Sequence, residues 1–89
     1  MLYLLIRHEV EDFDRWQPIY LAHRGVREAA GLHDLHLFRD ADHSDYVTAL
    51  FRVDDLAAAK AFGESIELRD AMRAAGVLGT PEFRILNEA

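Results

Sequence analysis

The amino-acid sequence predicts an α+β sandwich in which two helices cover one face of a four-stranded antiparallel sheet, in the chain order βαββαβ. Two observations carry this prediction. Each half of the chain reads as strand, helix and strand, and both predicted helices end in Ala-Ala-Gly, at 29–31 and at 74–76. Right-handed crossovers would place both helices on the same side of the sheet. This is the ferredoxin-like arrangement.

The length and composition favour a single domain spanning 1–89. The chain has 89 residues, of which 51% are hydrophobic and 29% charged. Its net charge of -6 argues against a nucleic-acid partner, which would require a basic surface. The absence of cysteine excludes a disulfide framework and a cysteine nucleophile. The N-terminal apolar run is too short for a signal sequence or a membrane span, so we expect a cytoplasmic protein that contacts no membrane.

The first predicted strand is Leu2–Glu9, and we expect it to end near Val10. Successive side chains of a strand point to opposite faces. Its apolar residues divide between the two faces, with Leu2, Leu4 and Ile6 on one and Tyr3 and Leu5 on the other. The strand then ends in the ionisable triplet Arg7-His8-Glu9, in which His8 should share the face of Ile6.

The first predicted helix begins within residues 11–18 and runs to about Ala30, with Gly31 as the residue that ends it. Two starts compete. Asp14 and Gln17 have capping-box spacing, whereas Pro18 prefers the first turn of a helix. Either a short turn precedes the main helix, or Pro18 distorts its start.

The buried face of this helix is predicted from residues that recur at helical spacing. They are Phe13, Trp16, Tyr20, His23, Val26 or Arg27, and Ala30, with Ile19 and Ala22 beside them. Arg24 and Glu28 should lie on the opposite, solvated side. Gly25 within the helix marks either a close approach to another backbone or a position without a structural role.

The second half of the chain is predicted to repeat this order. His33–Phe38 and Tyr46–Val53 alternate as strands, joined by the polar loop 40–45. Asp54 or Asp55 caps the next helix. That helix breaks at 63–65, restarts at Ile66 with Ser65 as its cap, and stops at Gly76. Residues 78–81 are predicted to form a loop before a last strand at 82–86.

The first and third strands are both apolar on two faces, although the two predicted helices cover only one face of the sheet. Something else must cover the other face, and the simplest candidate is the same face of a second copy of the chain. A twofold dimer that packs sheet on sheet would bury both. The sequence therefore predicts a homodimer.

Several stretches resemble small dimeric α/β-barrel proteins, and together they cover nearly the whole chain. The N-terminal stretches are Asp12–Pro18 and Ala30–Leu32, and the C-terminal ones are Ser65–Met72, Ala75–Val77 and Pro81–Phe83. This superfamily includes antibiotic-biosynthesis monooxygenases, muconolactone isomerases and haem-degrading enzymes, together with stand-alone domains of unassigned function. The resemblance implies the ferredoxin-like fold and the sheet-to-sheet dimer.

The resemblance carries over no catalytic residue. The haem-degrading and quinone-forming monooxygenase branches carry an asparagine early in the chain. The only asparagine of this sequence is Asn87, near its C-terminus. This absence opposes a role in haem handling.

The candidate site residues are the histidines His23, His8 and His36 as acids or bases, with Trp16, Tyr20 and Arg7 as binding residues. His23 on the aromatic stripe is either a general base near neutral pH or a partly buried histidine bonded to a backbone carbonyl. For Trp16 the core is the favoured position, because a small core needs an aromatic side chain at helical spacing. Arg7 can instead form an ion pair at the surface or at the dimer rim.

No cofactor is expected, and the spacing of the histidines argues against a metal site. His33 and His36, three apart on a strand, should face opposite sides of the sheet. His8 and His36 should be separated by an intervening strand, which at ~4.8 Å per strand places them too far apart for one metal ion.

Two functions remain open. The first is a cofactor-free enzyme or binder, such as a monooxygenase, isomerase or cyclase, acting on a small, partly apolar molecule between the helices and the sheet. The second is a non-catalytic dimeric module that binds a metabolite or a partner. A cavity with convergent histidine and aromatic groups would favour the first, and a fully packed interior the second.

Overall fold

The computed structural model describes residues 1–89, and its strands form one antiparallel sheet in the order β2-β3-β1-β4. In chain order the elements are β1 (Leu2–Val10), α1 (Phe13–Ala22), α2 (Arg24–Ala29), β2 (Leu32–Arg39), β3 (Tyr46–Val53), α3 (Leu56–Gly63), α4 (Ile66–Ala74) and β4 (Val77–Asn87). This order confirms the ferredoxin-like fold. The predicted break of the second crossover at 63–65 is confirmed, whereas the first crossover, predicted as one helix to about Ala30, is also divided into two.

Strand β1 lies near the centre of the sheet and shows the expected alternation. On the face covered by the helices, Leu4, Ile6, His8 and Val10 are all buried. The side chains between them are only partly buried, because no helix covers the other face, which we call the open face. The core on the helix side combines buried residues of β1, β2, β3 and the helices with partly buried residues of β4. Its buried members include Leu4, Leu32, Val47, Phe51 and Trp16.

The starts and stops of the helices follow the capping residues. The side chain of Asp55, rather than Asp54, accepts a hydrogen bond from the Ala58 amide, and Ser65 caps α4 as predicted. Gly31 and Gly76 have φ angles of 82° and 83°, a left-handed conformation that glycine adopts without strain. The repeated Ala-Ala-Gly sequence is therefore a helix ending in both halves.

The start of α1 differs from both predicted alternatives. Asp12 is the N-cap, and its carboxylate accepts a hydrogen bond from the Asp14 amide at 3.0 Å. Pro18 lies inside α1 rather than in its first turn. Because proline has no amide hydrogen, the helix lacks one hydrogen bond at that turn.

The predicted loop at 78–81 was wrong, because these residues lie within β4. The pairing of β4 with β1 shifts register between Arg7 and Glu9, which marks a bulge in β4 around Gly79. Gly79 has a φ of 66°, which suits a bulge. Pro81 is tolerated because β4 is an edge strand.

A second register shift, in β2, places His33 and His36 on the same face of the sheet, contrary to the prediction. His33 pairs with Arg52 and His36 pairs with Leu50, with the irregularity between Asp34 and His36. Directly paired residues share a face, and Arg52 and Leu50 both lie on the open face. An irregularity of one residue reverses every later side chain, which strict alternation does not anticipate.

Position 25 in α2 does not require a glycine, because a Cβ atom added to Gly25 would meet nothing within 4 Å. We therefore expect Gly25→Ala to raise the free energy of unfolding by roughly 0.5 to 1 kcal/mol, the difference in helix propensity. Urea denaturation measures this change. Gly31→Ala is the matched control and should be destabilising, because Gly31 has a positive φ and its added Cβ would lie 3.4 Å from Asp54. A destabilised Gly25→Ala protein would contradict the account of α2.

Candidate functional site

The helices and the sheet enclose a cleft of about 570 Å³. Its floor is the helix-side face of the sheet, and its walls are the two crossovers. The lining is mostly apolar: Ile6, Ile19, Ala49, Phe51, Phe62, Leu68, Ala71 and Met72 contribute to it. The polar groups are few and include His8, His23 and Arg27. A concave, largely apolar space with a few convergent polar groups is typical of a small-molecule site.

One wall of the cleft is an aromatic stack on α1. The rings of Trp16 and Tyr20 lie 4.7 Å apart with an interplanar angle of 23°. The Arg27 guanidinium covers the ring of Tyr20, with its central carbon 3.8 Å from the ring centroid. Trp16 is 3% exposed, so it belongs to the core and lines the cleft at the same time. The core position expected for Trp16 is confirmed, and its role in binding stays a prediction.

Arg27 explains why the first crossover breaks into two helices. Its Nε and one Nη donate to the two carboxylate oxygens of Asp34 at 3.0 and 2.8 Å. The other Nη donates to the backbone carbonyl of Tyr20 at 2.7 Å. The last carbonyls of a helix need partners, and a cation at the C-terminal end is favoured by the helix dipole. Arg27 thus caps α1 and anchors the break to β2.

Sequence reasoning did not identify this ion pair, although Arg27 was one of two alternatives for the buried stripe. The available signal is spacing, because Arg27 lies seven residues after Tyr20 and therefore on the same helical face. The structure places Arg27 inside and leaves Val26 54% exposed.

His23 lies at the break itself, between α1 and α2, and lines the cleft. Its Nδ1 is 2.8 Å from the backbone carbonyl oxygen of Ile19. A carbonyl can only accept, so Nδ1 carries the proton and Nε2 holds the free lone pair. The two roles considered for His23 are therefore compatible, since the hydrogen bond fixes the ring and leaves Nε2 available.

His8 forms part of the cleft floor and is 7% exposed. Its ring meets Trp16 edge-on at 5.5 Å. Nδ1 of His8 is buried and has no hydrogen-bond partner. Burial lowers the pKa of His8 to about 4, because the charged imidazolium loses its solvation. His8 is therefore a neutral imidazole at physiological pH.

Tyr20 is also kept neutral. Burial raises the pKa of its hydroxyl to about 12, and the nearby Asp34 carboxylate acts in the same direction, against the opposing effect of Arg27. The cleft therefore presents a phenol and two imidazoles, one of which, His8, is held neutral, beside an ion pair whose charges compensate each other. Ser65 and Glu67 also line it.

The structure does not bring His36 and Arg7 into the cleft. His36 is exposed on the open face, where it stacks on Phe38 at 5.5 Å. Arg7 is also on the open face, where an Nη donates to Asp40 at 2.6 Å and the guanidinium covers the ring of Tyr46. The bulge in β2 and the alternation along β1 account for these positions. The contacts of Arg7 agree with the other role considered for it, an ion pair at the surface.

A second cluster of charged side chains lies on the open face, where the start of β2 pairs with the end of β3. His33 Nε2 and an Arg52 Nη lie 2.8 and 3.0 Å from the carboxylate of Asp54. The hydrogen bond from His33 is the largest cause that lowers the pKa of Asp54. No group of three or more His, Asp or Glu side chains is placed to hold a metal ion.

No helix of the chain is long and apolar enough to cross a membrane.

Comparison with known proteins gives matches in structure but not in sequence. No family model matches the chain, and no curated protein matches it. A solved structure described as an antibiotic biosynthesis monooxygenase superposes with a TM-score of 0.73 at 15% identity, covering 100% of this chain and 99% of the other. A second solved structure, of a Bordetella bronchiseptica protein described in the same terms, superposes with a TM-score of 0.80 at 12% identity. The match covers 99% of this chain and 96% of the other.

A third similar structure is SnoaB from Streptomyces nogalater, described as a cofactor-independent oxygenase. It superposes with a TM-score of 0.72 at 14% identity, over 98% of this chain and 91% of SnoaB. Identities this low establish a shared fold and leave activity to be argued from the site. The chain has the ferredoxin-like fold of the antibiotic biosynthesis monooxygenase-like proteins.

Proposed function

We propose that this protein binds a small, partly apolar molecule in the cleft between its helices and its sheet, and transforms it without a cofactor. The observation that carries the proposal is the cleft itself, about 570 Å³ of mostly apolar space that the imidazole rings of His8 and His23 line from the sheet and from the helices. A few polar groups in an otherwise apolar concave space can orient a bound molecule.

The volume and lining set limits on the ligand. Drug-sized ligands occupy clefts of roughly 300 to 1,000 Å³, and this cleft lies within that range. The Trp16–Tyr20 wall offers flat apolar contact, and the polar groups can fix an orientation. SnoaB, which shares the fold, is described as a cofactor-independent oxygenase. Its description supports chemistry carried by side chains and substrate alone.

The proposed functional unit is a homodimer formed by the open face. This face carries Leu5 and Leu50 at its centre, opposite one another in the β1-β3 pairing. Phe38 and Leu86 are 51% and 41% exposed around them. An extended apolar surface is unusual for a monomer, and two copies related by a twofold axis would bury it on both. The cleft lies on the opposite face and stays open in such a dimer.

Binding is tested with 2-tetralone, a bicyclic ketone, through the fluorescence of Trp16. Trp16 is the only tryptophan of the chain and lines the cleft, so a bound ketone should quench it. Ala71→Phe places a ring in the cleft and should weaken binding by about tenfold or more, equivalent to at least ~1.4 kcal/mol. Ala74→Phe, on the exposed side of the same helix, is the matched control and should leave binding unchanged. Equal binding by both variants would locate the ligand elsewhere.

The dimer is tested by sedimentation equilibrium at micromolar concentration. Leu50→Asp introduces a charge at the centre of the open face and should give a folded monomer, because burying an unpaired carboxylate is costly. Leu21→Asp on α1, where Leu21 is 56% exposed, is the control and should remain dimeric. A monomeric wild-type protein contradicts this assembly.

The alternative function is a non-catalytic dimeric module that binds a metabolite. Such a module would use the same cleft and the same dimer, and it would differ from the enzyme only because the bound ligand is not converted. Binding of cleft-sized ligands without any change in their chemistry, across ketones and phenols, would favour this alternative.

A further inference from the structure

The two histidines of the cleft are held in different hydrogen-bonding environments. His23 comes from the break between α1 and α2, and His8 comes from β1, so they reach the same space from the helix layer and from the sheet. Each ring has one nitrogen whose state is fixed by its surroundings inside the protein. That fixed nitrogen determines what the other nitrogen can do.

His23 is held as the tautomer with a proton on Nδ1. Nδ1 lies 2.8 Å from the Ile19 carbonyl oxygen, which cannot donate. The same carbonyl also accepts the His23 backbone amide at 3.2 Å, so the ring is attached to the last turn of α1. Nε2 therefore carries a lone pair and is able to accept a proton.

His8 is assigned the opposite tautomer, with the proton on Nε2. Its Nδ1 is buried and makes no hydrogen bond; the acceptor that acts on the ring is the backbone carbonyl of His8 itself, which does not reach hydrogen-bond geometry with Nδ1. A proton on Nδ1 would therefore be a buried donor without a full partner, which is costly. This leaves the Nε2–H group as the donor that His8 can offer to a molecule in the cleft.

We infer that His23 and His8 form a base and donor pair for keto–enol proton transfer in a small apolar carbonyl compound. This inference rests on the proposed binding function and names its substrate class. His23 Nε2 removes a proton from the carbon next to the carbonyl, and the C–H electron pair becomes the new C=C bond. The carbonyl π pair moves to oxygen, which accepts a hydrogen bond from His8 Nε2–H. The His23 imidazolium exchanges its proton with solvent and then returns a proton to carbon, so the step needs no oxidant, reductant or reactant other than water.

The surroundings suit these roles. A neutral imidazole can stabilise a developing oxyanion as a hydrogen-bond donor, and burial among apolar groups keeps His8 neutral. His23 is only partly buried, so water can solvate its imidazolium. The carbonyl compound must be largely apolar, because the remaining walls offer mainly aliphatic and aromatic contacts.

The tautomers are tested first, without a ligand, by two-bond proton–nitrogen spectra of protein labelled with ¹⁵N in histidine. His8→Phe and His23→Gln assign the two signals by their loss. We expect the Nδ1–H pattern for His23 and the Nε2–H pattern for His8 at pH 7.5. An Nδ1–H pattern for His8, or a charged His8, overturns the inference regardless of any substrate.

The transfer is tested with 2-tetralone in deuterated buffer, by the loss of the proton signals next to its carbonyl. The wild-type protein should accelerate deuterium incorporation above the buffer rate. His23→Gln should reduce the protein-dependent rate by about a hundredfold, a typical contribution of a general base. His8→Phe should reduce it by at least about tenfold while the ketone still binds. His43→Gln, in the exposed loop 40–45 outside the cleft, is the control and should match the wild type.

The outcomes separate this inference from the proposed function. Binding of 2-tetralone without protein-dependent exchange overturns the inference and leaves the binding function standing. Exchange that survives in His23→Gln assigns the base elsewhere and also overturns it. Absence of both binding and exchange contradicts the binding function, and the inference with it.

Discussion

Replacing Arg27 with methionine is expected to remove about 3 kcal/mol from the free energy of unfolding. Removing one partner of a buried ion pair leaves the other charge uncompensated, at a typical cost of roughly 3 to 5 kcal/mol. The lower end applies here, because the side chain of Asp34 is 23% exposed and solvent can relieve part of its charge. The last turn of α1 also loses the donor to its Tyr20 carbonyl. Guanidinium denaturation at pH 7 measures the change.

Two variants make this measurement specific. Arg24→Met removes an exposed arginine whose partner Glu28 lies 3.5 Å away, and should cost no more than about 0.5 kcal/mol. Arg27→Met combined with Asp34→Leu removes both charges and should recover much of the loss, since apolar pairs often replace buried ion pairs without penalty. A single Arg27 variant as stable as the Arg24 variant would show that the ion pair does not hold the helix break in place.

Lowering the pH from 7 to 4 is expected to cost the folded protein about 3 kcal/mol through His8 alone. The pKa of His8 is lowered from 6.5 in the unfolded chain to about 4 in the folded protein. Between these values the unfolded chain binds a proton that the folded protein does not, so the stability falls as the pH falls. The difference of about 2.5 units corresponds to about 3 kcal/mol at 1.36 kcal/mol per unit. Above pH 6.5 the contribution of His8 is complete.

His8→Phe isolates this effect, because phenylalanine keeps an aromatic ring against Trp16 and does not titrate. The wild-type protein should lose about 3 kcal/mol more than His8→Phe between pH 7 and pH 4, by urea denaturation at each pH. His43→Gln, in the exposed loop 40–45, is the control and should follow the wild type. Parallel pH profiles for wild type and His8→Phe would mean that His8 is not buried in the neutral form.

The elements were predictable from sequence where a local signal decides them. The alternation of β1, the cap at Ser65 and the stops at Gly31 and Gly76 each depend on residues within one turn or one strand. The bulge in β4 could not be read in the same way, because glycine and proline at 79 and 81 are as typical of a loop as of an irregular edge strand. Only the pairing with β1 distinguishes the two.

The site was predictable in part for the same reason. His23, Trp16 and Tyr20 share the cleft because helical spacing brings them to one face, and His8 joins them by alternation along β1. His36 was misplaced because a one-residue irregularity in β2 changes its face. Arg27 was undervalued because its partner Asp34 lies on another element, and a contact between elements leaves no periodic pattern in the sequence.

The most direct test of the central claim, that the cleft binds a ligand, uses the two methionines of the chain. Met72 lines the cleft, whereas Met1 is 67% exposed and outside it. In protein labelled with ¹³C at the methionine methyl groups, 2-tetralone should shift the Met72 signal in a saturable manner and leave the Met1 signal in place. Magnetisation transfer between the ketone and the Met72 methyl group should accompany the shift. An unchanged Met72 signal at saturating ketone, or equal shifts of both signals, would contradict the account.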